Sequence, residues 1–207
     1  MRHETLLKIV SLMRAELDKG MTIREISKRL KIGYRPAYNH ITGMEMEGII
    51  TVEKVGNAKQ CFLNLESAKC RHLLAETDAT RKEEIFKGNQ KLKRIVESLV
   101  SKLTEQFTSE IHSIILFGSY AKGTETRVSD IDLLFIVANM KNKKLRERIE
   151  RESASYQYSH NMKVNPLITD ITEFRKMLGT QDLNVGKEVR GHGISLYGSE
   201  IFWRLVS

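Results

Sequence analysis

The stretch IILFGSYAKGTETRVSDIDLLFIVA, residues 114–138, decides how this chain is read. It holds an apolar run, a Gly118-Ser119 turn, a short polar connection, and Asp130-Ile131-Asp132 at the head of a second apolar run. Ile114 to Phe117 and Ile131 to Ala138 read as buried strands. A strand places residues i and i+2 on one face, so Asp130 and Asp132 project together while Ile131 faces a core. Two carboxylates held side by side repel each other unless a cation lies between them. Hard oxygen ligands at that spacing suit Mg2+, an ion that takes one or two carboxylates plus substrate phosphates. The Gly118-Ser119 turn offers backbone N–H groups and a hydroxyl to such phosphates. A phosphate cradle shortly ahead of a carboxylate pair points to phosphoryl or nucleotidyl transfer.

An apolar strand, Gly-Ser, a polar interval and then Asp-x-Asp on the next strand resembles the signature of the DNA polymerase beta superfamily of nucleotidyltransferases. Gly118, Ser119, Ser129, Asp130 and Asp132 all fall in its register, and GSYAKGTETRVSDIDLL is most similar to the small stand-alone, minimal members. The bland alternative is an ordinary hairpin with solvent-facing acids, but a chance Asp-x-Asp rarely follows such a turn at this spacing. The resemblance implies a mixed β-sheet flanked by helices, an NTP substrate, and Mg2+ (or Mn2+) as the cofactor. It makes Asp130 and Asp132 the catalytic metal ligands. Gly118 and Ser119 would hold the β- and γ-phosphates, with Lys122 offsetting phosphate charge, although a plain surface lysine is an equal reading. Ser129 would order the turn into the strand. Members of the superfamily usually carry a third carboxylate on the third strand, and here Val164-Asn165-Pro166 puts Asn165 in its place. An amide oxygen is a weak metal ligand without charge. The nearest acid, Asp170, opens Asp170-Ile171-Thr172-Glu173, which reads as a capping box for a helix at Phe174.

With 207 residues the chain has room for two small domains. No run of 18 apolar residues occurs, which argues against a membrane span. The amino-terminal MRHETLLKIVSLM lacks a signal-peptide cleavage pattern, and a cytoplasmic location is expected. Cys61 and Cys70 make neither a metal-ligand spacing nor a disulfide framework, Cys61 reads as core, and the six histidines form no His-x-x-x-His pair. The net charge of +8 is spread as +3 over residues 1–66, +3 over 67–108 and +2 over 109–207. That surplus agrees with nucleic-acid or nucleotide partners.

Residues 1–66 read as a domain of their own. Leu6, Ile9, Val10, Met13 and Leu17 predict a helix over 5–17. A Thr22/Glu25 capping box precedes a second helix through Ile26 and Leu30. After a turn at Lys31-Ile32-Gly33, a third helix carries Pro36 in its first turn and Ala37, Ile41 and Met44 on one apolar face. IITVEKVGNAKQCFLNL then alternates as two strands about Gly56-Asn57. Three helices and a β-hairpin resemble a winged helix-turn-helix, whose third helix enters the DNA major groove. By that resemblance Tyr34, Arg35, Tyr38, Asn39 and Thr42 face DNA, and Lys54 and Lys59 on the wing pair with phosphates. A protein-docking or dimerising role is the alternative for the same fold.

Residues 67–108 read as a helical connector. Leu73, Leu74 and Ile85 anchor a weaker helix over 67–86, and Leu92, Ile95, Val96, Leu99, Leu103 and Phe107 mark an amphipathic one over 90–107. Packing within the chain is the ordinary expectation, with a homodimer as the other outlet. Residues 109–207 complete the fold class, α+β. They add a charged helix after the motif, most simply a solvated face, a third strand MKVNPLIT, and a tail of helix, glycine turn, short strand and closing helix. His192 is expected in that turn.

Taken together these readings predict a Mg2+-dependent nucleotidyltransferase moving an NMP from an NTP to an acceptor hydroxyl on protein or nucleic acid, joined to a DNA-binding module. The alternative is a DNA-binding transcriptional regulator whose transferase-like domain senses nucleotide without turning it over. An antitoxin-like role is a further option.

Overall fold

The computed structural model describes residues 3–56 and 58–207. The chain divides into two compact units, with the boundary between Thr77 and Asp78.

In the first unit α1 (His3–Arg14) is followed by β1 (Met21–Thr22), α2 (Ile23–Leu30), α3 (Tyr34–Met46) and the strands β2 (Ile50–Val55) and β3 (Ala58–Leu63). The Thr22 hydroxyl accepts from the Glu25 N–H while the Glu25 carboxylate accepts from the Thr22 N–H, so the capping box starts α2 as its sequence demands. Lys31, at φ 54°, ends α2 in the left-handed region. α1 stops at Arg14, short of the expected Leu17, because the chain turns through Gly20 to lay Met21–Thr22 beside β3. This third strand gives the sheet order β1-β3-β2, and two residues are too few to have carried an alternation signal. β2 and β3 pair antiparallel from Ile50↔Leu63 to Val55↔Ala58. Gly56, at φ +61°, leads the connection, and Asn57 lies outside the described residues. Ile9, Val10, Met21, Ile26, Ala37, Ile41, Met44, Ile50 and Cys61 are buried, which is the apolar set of all three helices and one face of the sheet.

The helix α4 (Ala68–Gly88) carries the unit boundary, and α5 (Gln90–Phe107) follows it behind an Asn89 cap. The second unit is built on β4 (Ile111–Phe117), a one-turn helix α6 (Gly118–Lys122), β5 (Ile131–Val137), α7 (Lys143–His160) and β6 (Val164–Asp170). It closes with α8 (Ile171–Gly179), α9 (Val185–His192), β7 (Ile194–Tyr197) and α10 (Ser199–Val206). The four strands run in the order β6-β5-β4-β7, with β5 and β6 parallel and the other two pairings antiparallel. The sheet is therefore mixed and the molecule is α+β.

Alternation sorts the central strands. Ile114 and Leu116 of β4, with Ile131, Leu133, Phe135 and Val137 of β5, join the apolar stripes of α5 and α7 in one core. Leu134 and Ile136 point the other way, to the face covered by α8, α9 and α10. There Phe174, Phe202 and Trp203 are fully buried, and the Trp203 indole N–H donates to Asp78 Oδ2 at 3.1 Å. Asp130 and Asp132 share the parity of Leu134 and Ile136, so they lie on this second face, at its open end.

Candidate active site

The site begins where β4 ends. Phe117 is opposite Asp132 in the ladder, so the turn that follows Phe117 must pass directly over that carboxylate. Gly118 makes this turn at φ +71°, and a Cβ built on it would overlap Asp132 Oδ2. Only glycine satisfies both demands. α6 starts there without a side-chain cap, with Tyr120 and Ala121 buried and Ser119 half-exposed, and it stops at Gly123 in the left-handed region.

The carboxylates are fixed from the next strand. Ile131 is wholly buried, while Asp130 and Asp132 flank it on the opposite face. Asp132 is paired with Asn165 in the parallel register of β5 and β6. The Asn165 Nδ2 group donates to Asp130 Oδ2 at 3.0 Å and to Asp132 Oδ1 at 3.1 Å. The Lys163 Nζ donates to Asp130 Oδ2 at 3.2 Å. Burial pushes the Asp132 carboxyl above its ordinary range; the Asn165 hydrogen bond pulls back, the Asp130 and Glu188 carboxylates push further, and Lys163 opposes them.

Lys122, on α6, forms an ion pair with Glu188 of α9 at 2.6 Å. Ser129 accepts from the Thr126 N–H at 2.9 Å and so braces the loop ahead of β5. On the β6 side, a cavity of about 310 Å³ is lined by Arg127, Ser129, Asp130, Gln157, Asn161 and Lys163, among others. Asp170 sits at the far end of β6, where its carboxylate caps α8 by accepting from the Glu173 N–H at 2.9 Å. His192 is the last residue of α9 rather than a turn residue, and its carbonyl accepts from Arg81.

Gly118, Ser119, Asp130, Asp132 and Asn165 thus converge at one end of the sheet. Lys163 and Glu188 belong to the same surroundings and were missed in the sequence. The only local signal for Lys163 was its position two residues before Asn165 on a strand, which puts both on one face. Glu188 left none. Among the described residues no group of three or more His, Cys, Asp or Glu side chains is placed to hold a metal ion. The fit to a divalent cation therefore rests on Asp130 and Asp132, whose oxygens already converge on a single nitrogen, with Asn165 able to add its Oδ1 if the amide turns over.

In the first unit Tyr34, Arg35, Tyr38 and Asn39 are exposed on α3, and the two tyrosine rings stack with centroids 6.5 Å apart. Thr42 is half-buried on the same helix. Lys54 and Lys59 are exposed and directly opposite each other in the β2–β3 ladder.

Residues 90–177 match the family described as "Nucleotidyltransferase domain". This segment is similar to nucleotidyltransferase domains. The similarity extends to "Putative protein adenylyltransferase MJ1305" of Methanocaldococcus jannaschii, 32% identical over 81 residues, 38% of this chain and 55% of that protein. The chain therefore spans about half the length of that relative. "Putative protein adenylyltransferase MJ0141" of the same organism is 24% identical over 102 residues, covering 49% of this chain and 95% of that one. Among solved structures, one described as "Crystal structure of the toxin-antitoxin with AMP-PNP" matches at 21% identity and a TM-score of 0.34, over 51% of this chain and 79% of that chain. A mutant of the toxin-antitoxin MntA-HpeT matches at 19% identity and a TM-score of 0.33 over the same shares. The nucleotidyltransferase match contains Gly118, Ser119, Asp130, Asp132 and Asn165. No helix among the described residues is long and apolar enough to cross a membrane.

Proposed function

We propose that this chain transfers a nucleoside monophosphate, most simply AMP, from an NTP to a hydroxyl acceptor on a protein, and that Mg2+ or Mn2+ assists. The observation that carries this reading is the convergence of Asp130 and Asp132 beneath the Gly118 turn, within the segment that matches the nucleotidyltransferase family. The choice of adenylate and of a protein acceptor is supported by the names of the two relatives. Gly118 and Ser119 bind the terminal phosphates through backbone N–H groups and the hydroxyl. Asp130 and Asp132 hold the cation, with Asn165 as a weak third donor, and the cation supplies charge stabilisation at the reacting phosphorus. Lys122 is held by Glu188 and reaches phosphate only by leaving that pair.

The first unit we read as a winged helix-turn-helix that binds DNA, with α3 as its recognition helix and the β2–β3 hairpin as its wing. Like charges directly opposite across strands are unfavourable, and the Lys54/Lys59 pair finds its relief in a phosphate backbone. Arg35 and Asn39 supply base-edge donors, Tyr34 and Tyr38 phosphate contacts, and Thr42 a shorter one. In this reading residues 1–66 are the DNA-binding domain, 67–108 the connector and 109–207 the transferase part. A second copy of the chain is a candidate partner, as palindromic DNA sites would require.

Asn165 favours a second reading. With an amide where a third acid would add charge, the domain senses nucleotide without turning it over and the chain acts as a DNA-binding regulator. Incubation with α-labelled ATP, GTP, CTP or UTP and Mg2+ or Mn2+ separates the two. Label on protein that disappears in Asp130→Ala and Asp132→Ala supports transfer. Absence of label on any acceptor, together with sequence-selective DNA binding lost in Arg35→Ala, overturns transfer in favour of the regulator.

A further inference from the structure

Lys163 and Asn165 frame Val164 at the start of β6, and strand alternation turns both toward the carboxylate pair of β5. Their contacts are not equivalent. Asn165 gives its Nδ2 group to both carboxylates, at 3.0 and 3.1 Å, whereas the Lys163 ammonium donates to Asp130 Oδ2, at 3.2 Å, and acts on Asp132 only through its charge. Two neighbouring carboxylates repel, and here one ammonium and one amide offset that repulsion from the same strand. A divalent cation needs the opposite arrangement at both positions. It needs Asp130 Oδ2 as a ligand, and it meets a carbonyl at Asn165 only if the amide turns its Oδ1 inward.

We propose that Lys163 is a resident counter-ion of the Asp130/Asp132 pair and competes with the divalent cation for it. The cation enters by displacing the Lys163 ammonium from Asp130 and reversing the Asn165 amide. Bare cation therefore binds weakly. A cation that arrives on a nucleotide binds better, because the phosphates add their own attachment at Gly118 and Ser119. The Lys163 side chain is 60% exposed, so it leaves Asp130 without losing a packed position. The cavity beside it, lined by Arg127, Gln157 and Asn161, gives the released ammonium room to move. This inference rests on the metal-binding reading of the site given above.

The test is Mn2+ binding to the full chain, without nucleotide, followed by electron paramagnetic resonance of free Mn2+. Lys163→Met removes the competitor and is expected to tighten binding by about two- to fivefold, the worth of an exposed ion pair. Lys163→Arg keeps the charge and is expected to bind as the parent does. Thermal melts of both variants check folding. Binding by Lys163→Met that is unchanged or weaker overturns the competition while leaving the metal site standing. Mn2+ binding that survives in the Asp130→Ala/Asp132→Ala double variant, or that is absent from every form both without nucleotide and with AMP-PNP added, overturns the metal-site reading and the inference with it.

Discussion

At Gly118 a methyl group would meet two separate obstacles, the left-handed backbone and the Asp132 carboxylate beneath the turn. Gly123, five residues on, shares the first obstacle at φ +68°, but a Cβ there would have nothing within 4 Å. The pair therefore separates backbone strain from damage to the site. Both Gly118→Ala and Gly123→Ala should lose about 1–2 kcal/mol of stability in urea denaturation. Gly118→Ala should also lose transfer by on the order of a hundredfold, since it displaces the Asp132 carboxylate that we propose as a cation ligand. Equal transfer by the two variants would remove Gly118 from the site. Asp132 supports a second test at this scale. Its carboxyl is raised, chiefly by burial, so the stability this group contributes is complete below its unfolded value of about 3.9 and is lost as pH rises through the folded value. Asp132→Asn has no such loss. In EDTA, the melting temperature of Asp132→Asn relative to the parent should climb as pH goes from below 4 toward neutrality. A constant difference across that range would contradict the raised carboxyl.

Whole elements were legible where the signal was local. The Thr22/Glu25 box, the break between the helices expected over 67–86 and 90–107, and the one-sided stripe of α5 all stand in the sequence within a few residues of the structure they produce. The side-by-side placement of Asp130 and Asp132 needed only strand parity. What escaped was built from distant parts. β1 is two residues that become a strand only because β3 is there to receive them. Glu188 reaches Lys122 across 66 positions, a separation that periodicity does not encode. Arg81 is the clearest case. From the second unit's portion of α4, its guanidinium donates to the carbonyls of Ala121 at 2.9 Å, His192 at 3.0 Å and Gly193 at 3.4 Å. It thereby joins the end of α6 to the end of α9, the two helices that carry Lys122 and Glu188. Arg81→Met keeps the apolar stem and leaves those carbonyls without this donor. A loss of about 1.5–3 kcal/mol is expected, together with a higher KM for the nucleotide as α6 loosens. An unchanged KM would confine Arg81 to a purely structural role.

The molecule as a whole carries its own pair of probes. Its single tryptophan, Trp203, is fully buried in the second unit beside Phe202 and bonded to Asp78. Its two cysteines, Cys61 and Cys70, are both buried in the first. Burial pushes the Cys61 thiol up to about 11 and the Cys70 thiol up to about 12. Because the thiolate is the reacting form, a disulfide reagent at pH 8 should label neither while the first unit is folded, and both once it opens. Tryptophan fluorescence reports the other core. The two units own different apolar clusters, and α4 supplies Leu73 and Leu74 on one side of the boundary and Phe86 on the other. A urea titration read by both probes should therefore give two midpoints rather than one, the behaviour of a chain that departs from two-state unfolding. Nucleotide with Mg2+ should raise the Trp203 midpoint and leave the thiol midpoint in place, whereas a DNA duplex that binds α3 should do the reverse. Coincident transitions that move together with either ligand would mean that the two units unfold as one.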